Sequence, residues 1–233
     1  MKLVICAGPP SSGKTAVLKF TCEKLIRKGY KVAYLKIDTQ YATEDEVFRE
    51  ALGIPTKKVY TGDLCPDHVN VLVLGDGLDW ARSMGADIFL VESAGLCLRC
   101  APYVEGGLGV VVLEATSGIQ LPLKLGPLLS LADVAVMTKI DLVSQAEREV
   151  FRARINEVAP DVHVIEADAL HGIGIDPLVR KIERYPELSG EPVLRGVPPL
   201  GVCTICVGKK EVGWNKHFGI LRTLESDLFY RGE

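Results

Sequence analysis

The chain has 233 residues, of which 48% are apolar and 24% charged, and its formal net charge is −3 at pH 7. This length suffices for one α/β domain with a full core, and the small net charge gives no reason to expect a nucleic acid or an anionic membrane as a partner. No apolar run approaches the roughly 18 residues of a membrane span, so we expect no span. Met1 and Lys2 lead directly into the first predicted strand, so we expect no secretory leader. Seven cysteines, four of them in two C-x-x-C pairs, are typical of metal or redox chemistry in a cytoplasmic protein, which is the localisation we predict.

Apolar runs alternate along the chain with amphipathic segments. The predicted strands are residues 3–7, 31–37, 86–92, 108–115, 133–138 and 162–167. The predicted helices are residues 16–28, 44–52, 67–84, 121–131, 144–159 and 175–185. Continuously apolar strands between such helices predict an α/β fold with a doubly wound, mostly parallel sheet.

A glycine-rich loop follows the first strand. It fits the pattern G-x-x-x-x-G-K-[ST] at every required position, with Gly8, Pro9, Pro10, Ser11, Ser12, Gly13, Lys14 and Thr15. A strand before it and a helix after it place backbone N–H groups and a helix N-terminus around an anion. We expect Lys14 to reach the β- and γ-phosphates and the Thr15 hydroxyl to hold Mg²⁺. A chance glycine-rich turn is not expected to have both a strand before it and a helix after it. The loop therefore predicts a P-loop fold that binds a nucleoside triphosphate.

Two carboxylates follow predicted strands, at the sheet edge where ligands bind in such folds. Asp38 ends the second strand and Glu92 the third, and each can hold Mg²⁺ directly or through water. Gly95, shortly after Glu92, is a candidate γ-phosphate sensor. The alternatives are that Asp38 only caps a turn and that Glu92 is a solvated strand end.

A candidate for base recognition ends the fifth predicted strand. Thr138, Lys139 and Asp141 fit the pattern [NT]-K-x-D, in which the carboxylate accepts the N–H groups of guanine and the lysine stem covers the base. Residues 167–175, which include Ala169, resemble the base-backing loop S-A-x-x-G-x-G-[IL] of GTPases. A solvated turn remains the alternative at Thr138, but the two elements together favour GTP.

These motifs together resemble the metallochaperone branch of the SIMIBI-class phosphate-loop GTPases, which includes the hydrogenase and urease nickel-maturation GTPases and the cobalamin-biosynthesis-type metallochaperones. The matching stretches are residues 8–15, 38–45, 92–95 and 138–141. The resemblance covers roughly residues 1–185 and implies Lys14 on phosphate, Asp141 on guanine, and Mg²⁺ held by Thr15, Asp38 and Glu92. It also implies a homodimer that uses hydrolysis to transfer a metal ion to a client metalloenzyme.

The resemblance extends to one metal-binding segment. Cys65 and His68 stand where urease-type members carry Cys-Pro-His, with one additional residue between them here. Thiolate and imidazole suit Ni²⁺, Zn²⁺ or Co²⁺. The alternative is a buried thiol beside a capping residue.

Two C-x-x-C pairs offer further thiolate ligands. Cys97 and Cys100 follow the Glu92 motif, and Cys203 and Cys206 lie in the C-terminal element. Four thiolates suit structural Zn²⁺ or an iron–sulfur cluster. Two independent pairs, a redox couple or unliganded thiols remain open, whereas Cys6 and Cys22 are predicted to be small buried hydrophobes.

We therefore predict a GTPase domain over residues 1–185, a Pro/Gly-rich linker over 186–201 and a cysteine-bearing element over 202–233. The predicted function is a GTP-hydrolysing metallochaperone or maturation factor, with Lys14 and Glu92 as catalytic residues. If γ-phosphate orders the segment after Glu92, nucleotide state is coupled to metal affinity at Cys97 and Cys100. The alternatives are a small-molecule kinase or ligase, a nucleotide-dependent iron–sulfur switch, and an electron-delivering activator of a corrinoid or nickel protein.

Overall fold

The computed structural model describes residues 1–38, 44–61, 66–94, 101–196 and 210–213. The seven strands found in these ranges are β1 (Lys2–Ala7), β2 (Val32–Asp38), β3 (Thr56–Tyr60), β4 (Ile88–Ser93), β5 (Leu108–Glu114), β6 (Val134–Thr138) and β7 (His163–Glu166). They form one sheet in the order β3-β2-β4-β1-β5-β6-β7, and every neighbouring pair is parallel. The predicted doubly wound parallel sheet is confirmed.

Helices cover both faces of this sheet. The α-helices of the described residues are α1 (Lys14–Arg27), α2 (Glu44–Leu52), α3 (Pro66–Ser83), α4 (Leu121–Lys124), α5 (Pro127–Ser130), α6 (Gln145–Val158) and α7 (Asp176–Arg184). One buried cluster joins the sheet to α1 and α7 through residues such as Leu18 and Leu178. The other joins it to α3 and α6 through residues such as Leu72 and Phe151. Burial on both faces explains why the strands are continuously apolar.

Two sequence predictions differ from the structure. The helix predicted over residues 121–131 is divided into α4 and α5, because Gly126 between them has φ 46° and ψ −127°, far from helical values. The edge strand β3 was not predicted, because Lys57 and Lys58 interrupt its apolar character. Lys58 is nonetheless buried and its ammonium lies 5.4 Å from the centre of the Tyr60 ring.

Part of the chain beyond α7 packs against the edge of the sheet at which the strands begin. Val104 forms an antiparallel bridge with Leu194, and Val193 forms one with Glu211. The Arg195 guanidinium fixes this segment by donating to the carbonyls of Val104 (3.1 Å), Leu131 (2.9 Å) and Gly107, to Asp133 Oδ2 (2.7 Å) and to the Tyr185 hydroxyl (3.1 Å). Burial alone would lower the pKa of Arg195, but Asp133 raises it above its ordinary value. The domain boundary at residue 185 stays a prediction.

No helix within the described ranges is long and apolar enough to cross a membrane. Cys6 and Cys22 are fully buried, as the sequence predicts, and burial raises the pKa of both thiols.

Candidate functional site

The glycine-rich loop connects β1 to α1 at the edge where the parallel strands end. The Lys14 Nζ atom donates hydrogen bonds to the carbonyl oxygens of Gly8 and Pro9, both at 2.9 Å. Gly8 has φ 153°, and a Cβ atom there would lie 2.2 Å from the Val112 carbonyl oxygen, so the close approach of the loop to β5 requires glycine. Burial lowers the pKa of Lys14, although the neighbouring Glu92 carboxylate opposes this shift.

Two features of the loop fit a bound phosphate. Helix α1 begins after Gly13 with no side-chain cap and no acidic residue in its own first turn, so no side chain caps its N-terminal N–H groups in the described part of the chain. Ser12 Oγ is buried and has no hydrogen-bond partner among the residues that the structure describes. A buried hydroxyl without a partner is costly, and a phosphate oxygen would satisfy it.

Glu92 is the centre of a buried polar network at the end of β4. Its Oε1 atom accepts hydrogen bonds from Thr15 Oγ1 at 2.8 Å and from Lys36 Nζ at 2.6 Å. Its Oε2 atom accepts one from the Tyr34 hydroxyl at 2.8 Å. The Tyr34 ring is itself fixed by parallel stacking on Phe48 of α2, with ring centres 4.0 Å apart. The carboxylate is therefore held in one orientation beside the phosphate loop.

Asp38 completes the acidic side of this site from the end of β2. Its Oδ2 atom lies 3.4 Å from Lys36 Nζ, so one ammonium group contacts both carboxylates. A hydroxyl and two carboxylates are the oxygen ligands that Mg²⁺ prefers, and Mg²⁺ usually keeps several waters. Both oxygens of Glu92 already accept hydrogen bonds, which favours contact with the ion through water. In the described ranges no cluster of three or more His, Cys, Asp or Glu side chains could hold a metal by itself.

The base-recognition motif follows β6, next to the phosphate loop. The Thr138 hydroxyl donates a hydrogen bond to the Ser12 carbonyl oxygen at 2.6 Å. Lys139 has a left-handed backbone with φ 55°, and its ammonium forms an ion pair with Glu114. Asp141 lies in the exposed turn Ile140–Leu142 that follows. The motif thus combines a buried anchor with an accessible carboxylate.

The loop after β7 approaches the same place. A Cβ atom on Gly13 would lie 3.7 Å from the Thr138 side chain and 3.8 Å from Ala169 Cβ, so the phosphate loop, the motif after β6 and the loop after β7 are neighbours. Asp168 Oδ1 accepts the backbone N–H groups of Leu170 (3.0 Å) and His171 (3.2 Å), and Oδ2 contacts His171 Nδ1 at 2.5 Å. These bonds lower the pKa of Asp168, the contact with the His171 ring most of all.

Sequence reasoning missed three members of this site. Tyr34 and Lys36 lie inside a predicted strand, and the sequence alone does not show that both side chains point toward Glu92. The sequence alone also does not show that Glu114, at the end of β5, forms an ion pair with Lys139. The signal that could have revealed Lys36 is a lysine at an otherwise apolar strand position two residues before a candidate ligand.

The cysteine ligand candidates lie outside the described residues: Cys65, Cys97, Cys100, Cys203 and Cys206. The backbone of His68 lies in α3, but its side chain is outside the described part of the chain. Two contacts join chain positions near these candidates. Asn70 Nδ2 donates to the Pro102 carbonyl oxygen at 3.2 Å, and the Gly213 N–H donates to the Val71 carbonyl oxygen at 3.0 Å.

Comparison with known proteins agrees with this geometry. An uncharacterised protein of Methanocaldococcus jannaschii is 44% identical over the full length of both chains. A urease accessory protein UreG 2 of Streptomyces griseus is 30% identical over 76% of this chain and 84% of its own. The crystal structure of Helicobacter pylori HypB in complex with nickel is similar in fold, with a TM-score of 0.65, 19% identity, and coverage of 82% of this chain and 91% of that one.

The family resemblance that the motifs predict is confirmed. Residues 2–166 match the family described as CobW/HypB/UreG, nucleotide-binding domain, which is most of the chain and includes the glycine-rich loop, Asp38, Glu92 and the motif after β6. The chain therefore belongs to the CobW/HypB/UreG family of P-loop GTPases.

Proposed function

We propose that this protein is a GTP-hydrolysing metallochaperone or maturation factor, which couples guanine-nucleotide binding and hydrolysis to delivery of a metal ion to a client metalloenzyme. The observation that carries the proposal is the grouping of the phosphate loop, the Glu92 network and the Thr138 motif at one edge of the sheet. The metal-handling role rests on family membership and on relatives named as a urease accessory protein and as a hydrogenase maturation factor.

Each of these residues has a role in the proposed transfer of the γ-phosphoryl group to water. Lys14, buried beside the loop carbonyls, would turn to the β- and γ-phosphates and stabilise the charge that develops there. Thr15 and Asp38 would hold Mg²⁺, with Glu92 contacting it through water, and the bound ion would neutralise phosphate charge. Attack by water in line with the leaving group forms no covalent enzyme intermediate.

Guanine selectivity is proposed to rest on Asp141, with Lys139 covering the base and Ala169 behind it. Replacing Asp141 by Asn tests this by a gain of function. Xanthine carries a carbonyl where guanine carries its amino group, so an Asn amide can donate to xanthine, whereas Asp cannot. We expect D141N to lose GTP binding and to gain binding of xanthosine triphosphate, measured by competition against a fluorescent nucleotide. Unchanged selectivity would reject the assignment.

We propose the transition-metal ligands to be drawn from Cys65, His68, Cys97, Cys100, Cys203 and Cys206. Two hydrogen bonds support this. One joins Asn70 to Pro102, which lie two residues after His68 and Cys100, and the other joins Val71 to Gly213, which lies seven residues after Cys206. Homodimerisation on GTP is part of the same proposal and would be measured by light scattering with GDP and with a non-hydrolysable GTP analogue.

Metal and acid-labile sulfide should be measured first, on protein purified without oxygen. Zinc or nickel without sulfide, bound with different affinity in GDP and in a GTP analogue, would support the metallochaperone. Iron with sulfide and absorbance near roughly 400 nm would instead favour the iron–sulfur switch or the electron-delivering activator. A metal affinity that does not depend on the nucleotide would contradict the coupling.

A further inference from the structure

Lys36 is a buried lysine at the centre of the nucleotide site. It is only 3% exposed, and it lies opposite Glu92 on β4 in the parallel register, so both side chains point to the same face of the sheet. Its ammonium contacts Glu92 at 2.6 Å and Asp38 at 3.4 Å. A lysine thus lies between the two carboxylates that we propose for Mg²⁺.

Among the described residues, Lys36 supplies a cation that contacts both carboxylates, Asp38 and Glu92. A second buried lysine, Lys58, lies opposite Lys36 in the register of β2 with β3. Burying a charge is costly unless an opposite charge accompanies it, and Lys36 meets this need for the fully buried Glu92. The Lys36 ammonium thus lies between the same two carboxylates that would hold a divalent cation.

We propose that Lys36 is a positioning residue that acts as the internal counter-cation of Asp38 and Glu92 and so sets the affinity of the site for Mg²⁺. The inference rests on the proposed nucleotide site and adds a regulatory property to it. A divalent ion that enters must share the two carboxylates with Lys36 and is repelled by its charge, which weakens metal binding. The same positive charge attracts the phosphates, so nucleotide can bind before the metal does.

Removal of Lys36 should change the affinity for Mg²⁺ and the affinity for metal-free nucleotide in opposite directions. Lys36→Met removes one positive charge from the site, which favours Mg²⁺ and disfavours a metal-free triphosphate. Charges a few ångströms apart in a buried site interact strongly enough for at least about a tenfold change in each affinity. Lys36→Arg keeps the charge and should stay close to the wild type.

The experiment uses nucleotide-free full-length protein. Mg²⁺ is titrated alone by calorimetry, and a fluorescent GTP analogue is titrated in EDTA and at a series of Mg²⁺ concentrations. We expect K36M to need at least about tenfold less Mg²⁺ for half-saturation and to bind nucleotide in EDTA at least about tenfold more weakly. Lys24→Met is the control, because it removes a positive charge from the last turn of α1, where Lys24 pairs with the exposed Asp176. It should change either value less than about threefold.

Equal Mg²⁺ dependence in K36M and the wild type, or the same change in K36R as in K36M, would overturn the proposal. If K36M does not fold, the double variant K36M/E92Q removes one negative charge together with the positive one, and its affinity for nucleotide in EDTA should return to within about threefold of the wild type. Continued weak binding by that variant would overturn a counter-cation role. A wild type that binds no guanine nucleotide would reject the proposed function, while the titration of Mg²⁺ alone would still decide on Lys36.

Discussion

The Thr138 hydroxyl lies 2.6 Å from the Ser12 carbonyl oxygen and is fully buried. The bond joins the first residue of the predicted base-recognition motif, at the end of β6, to the phosphate loop that follows β1. The same hydroxyl lies 3.3 Å from the Leu113 carbonyl oxygen on β5, the strand between them. One side chain therefore connects the two regions that we propose to bind nucleotide.

Replacing Thr138 by Val keeps the shape of the side chain but removes this donor. Buried carbonyl oxygens lose their partner, so we expect the free energy of unfolding to fall by about 1–3 kcal/mol. We also expect GTP affinity to fall about fivefold, because about 1 kcal/mol of loop positioning is lost. Urea denaturation and nucleotide titration measure the two effects. Thr138→Ser is the control, since it keeps the hydroxyl, and equal losses in both variants would contradict the role of the bond.

The phosphate loop should not tolerate a side chain at Gly8. A Cβ atom there meets the Val112 carbonyl oxygen at 2.2 Å, and neither backbone can move without disturbing β5. We expect Gly8→Ala to abolish nucleotide binding and to lower the melting temperature. Gly29→Ala is the control: Gly29 also has positive φ, at 91°, but a Cβ atom there meets nothing within 4 Å. Equal effects of both substitutions would show that strain of the backbone at positive φ, and not the clash, is what matters.

The ion pair between Glu114 and Lys139 predicts a dependence of stability on pH. Burial would raise the pKa of Glu114, but hydrogen bonds from Lys139 and Ser117 outweigh it and lower the pKa. A carboxyl with a lowered pKa in the folded state stabilises fully above its unfolded pKa, and this stabilisation is lost as pH falls through the folded pKa. Because Lys139 is 36% exposed, the effect at neutral pH is limited to roughly 1 kcal/mol.

Denaturation of the wild type and of Glu114→Gln, from neutral pH into the acid range, tests this dependence. The wild type should be the more stable protein at neutral pH, and the difference should shrink as the solution becomes acidic. A difference that stays constant over the whole range would assign the effect to packing instead of charge.

Arg195 should contribute far more to stability than a surface arginine. Its guanidinium donates to three carbonyls, to Asp133 and to Tyr185, and its removal takes one donor from each of these five acceptors. We expect Arg195→Met to cost roughly 2–3 kcal/mol and to make the chain after α7 sensitive to limited proteolysis. Arg154→Met, which breaks an exposed pair with Glu157, should cost less than about 1 kcal/mol. Similar losses of stability in the two variants would contradict this role of Arg195.

Much of the fold could be predicted because its signals are local. The glycine-rich loop, the six apolar strands and the motif after β6 each need only neighbouring residues to be recognised. Strand β3 and Lys36 could not be predicted, because a lysine is read as exposed unless its partner is known. The partner of Lys36 is Glu92, 56 residues away in sequence. The division of the helix at Gly126 depends on backbone geometry that a periodic apolar pattern hides.

The uncapped start of α1 has a practical consequence. Since the proposed nucleotide would complete this helix, any preparation that carries nucleotide from the cell should be stabilised by mass action, by about 2.7 kcal/mol when free nucleotide is at about 100 times its Kd. That increment is as large as the mutational effects expected above. The melting temperature of this protein should therefore depend on how much nucleotide a sample retains as well as on its sequence. Melting temperatures of variants can be compared only after each variant has been stripped of nucleotide and checked by absorbance.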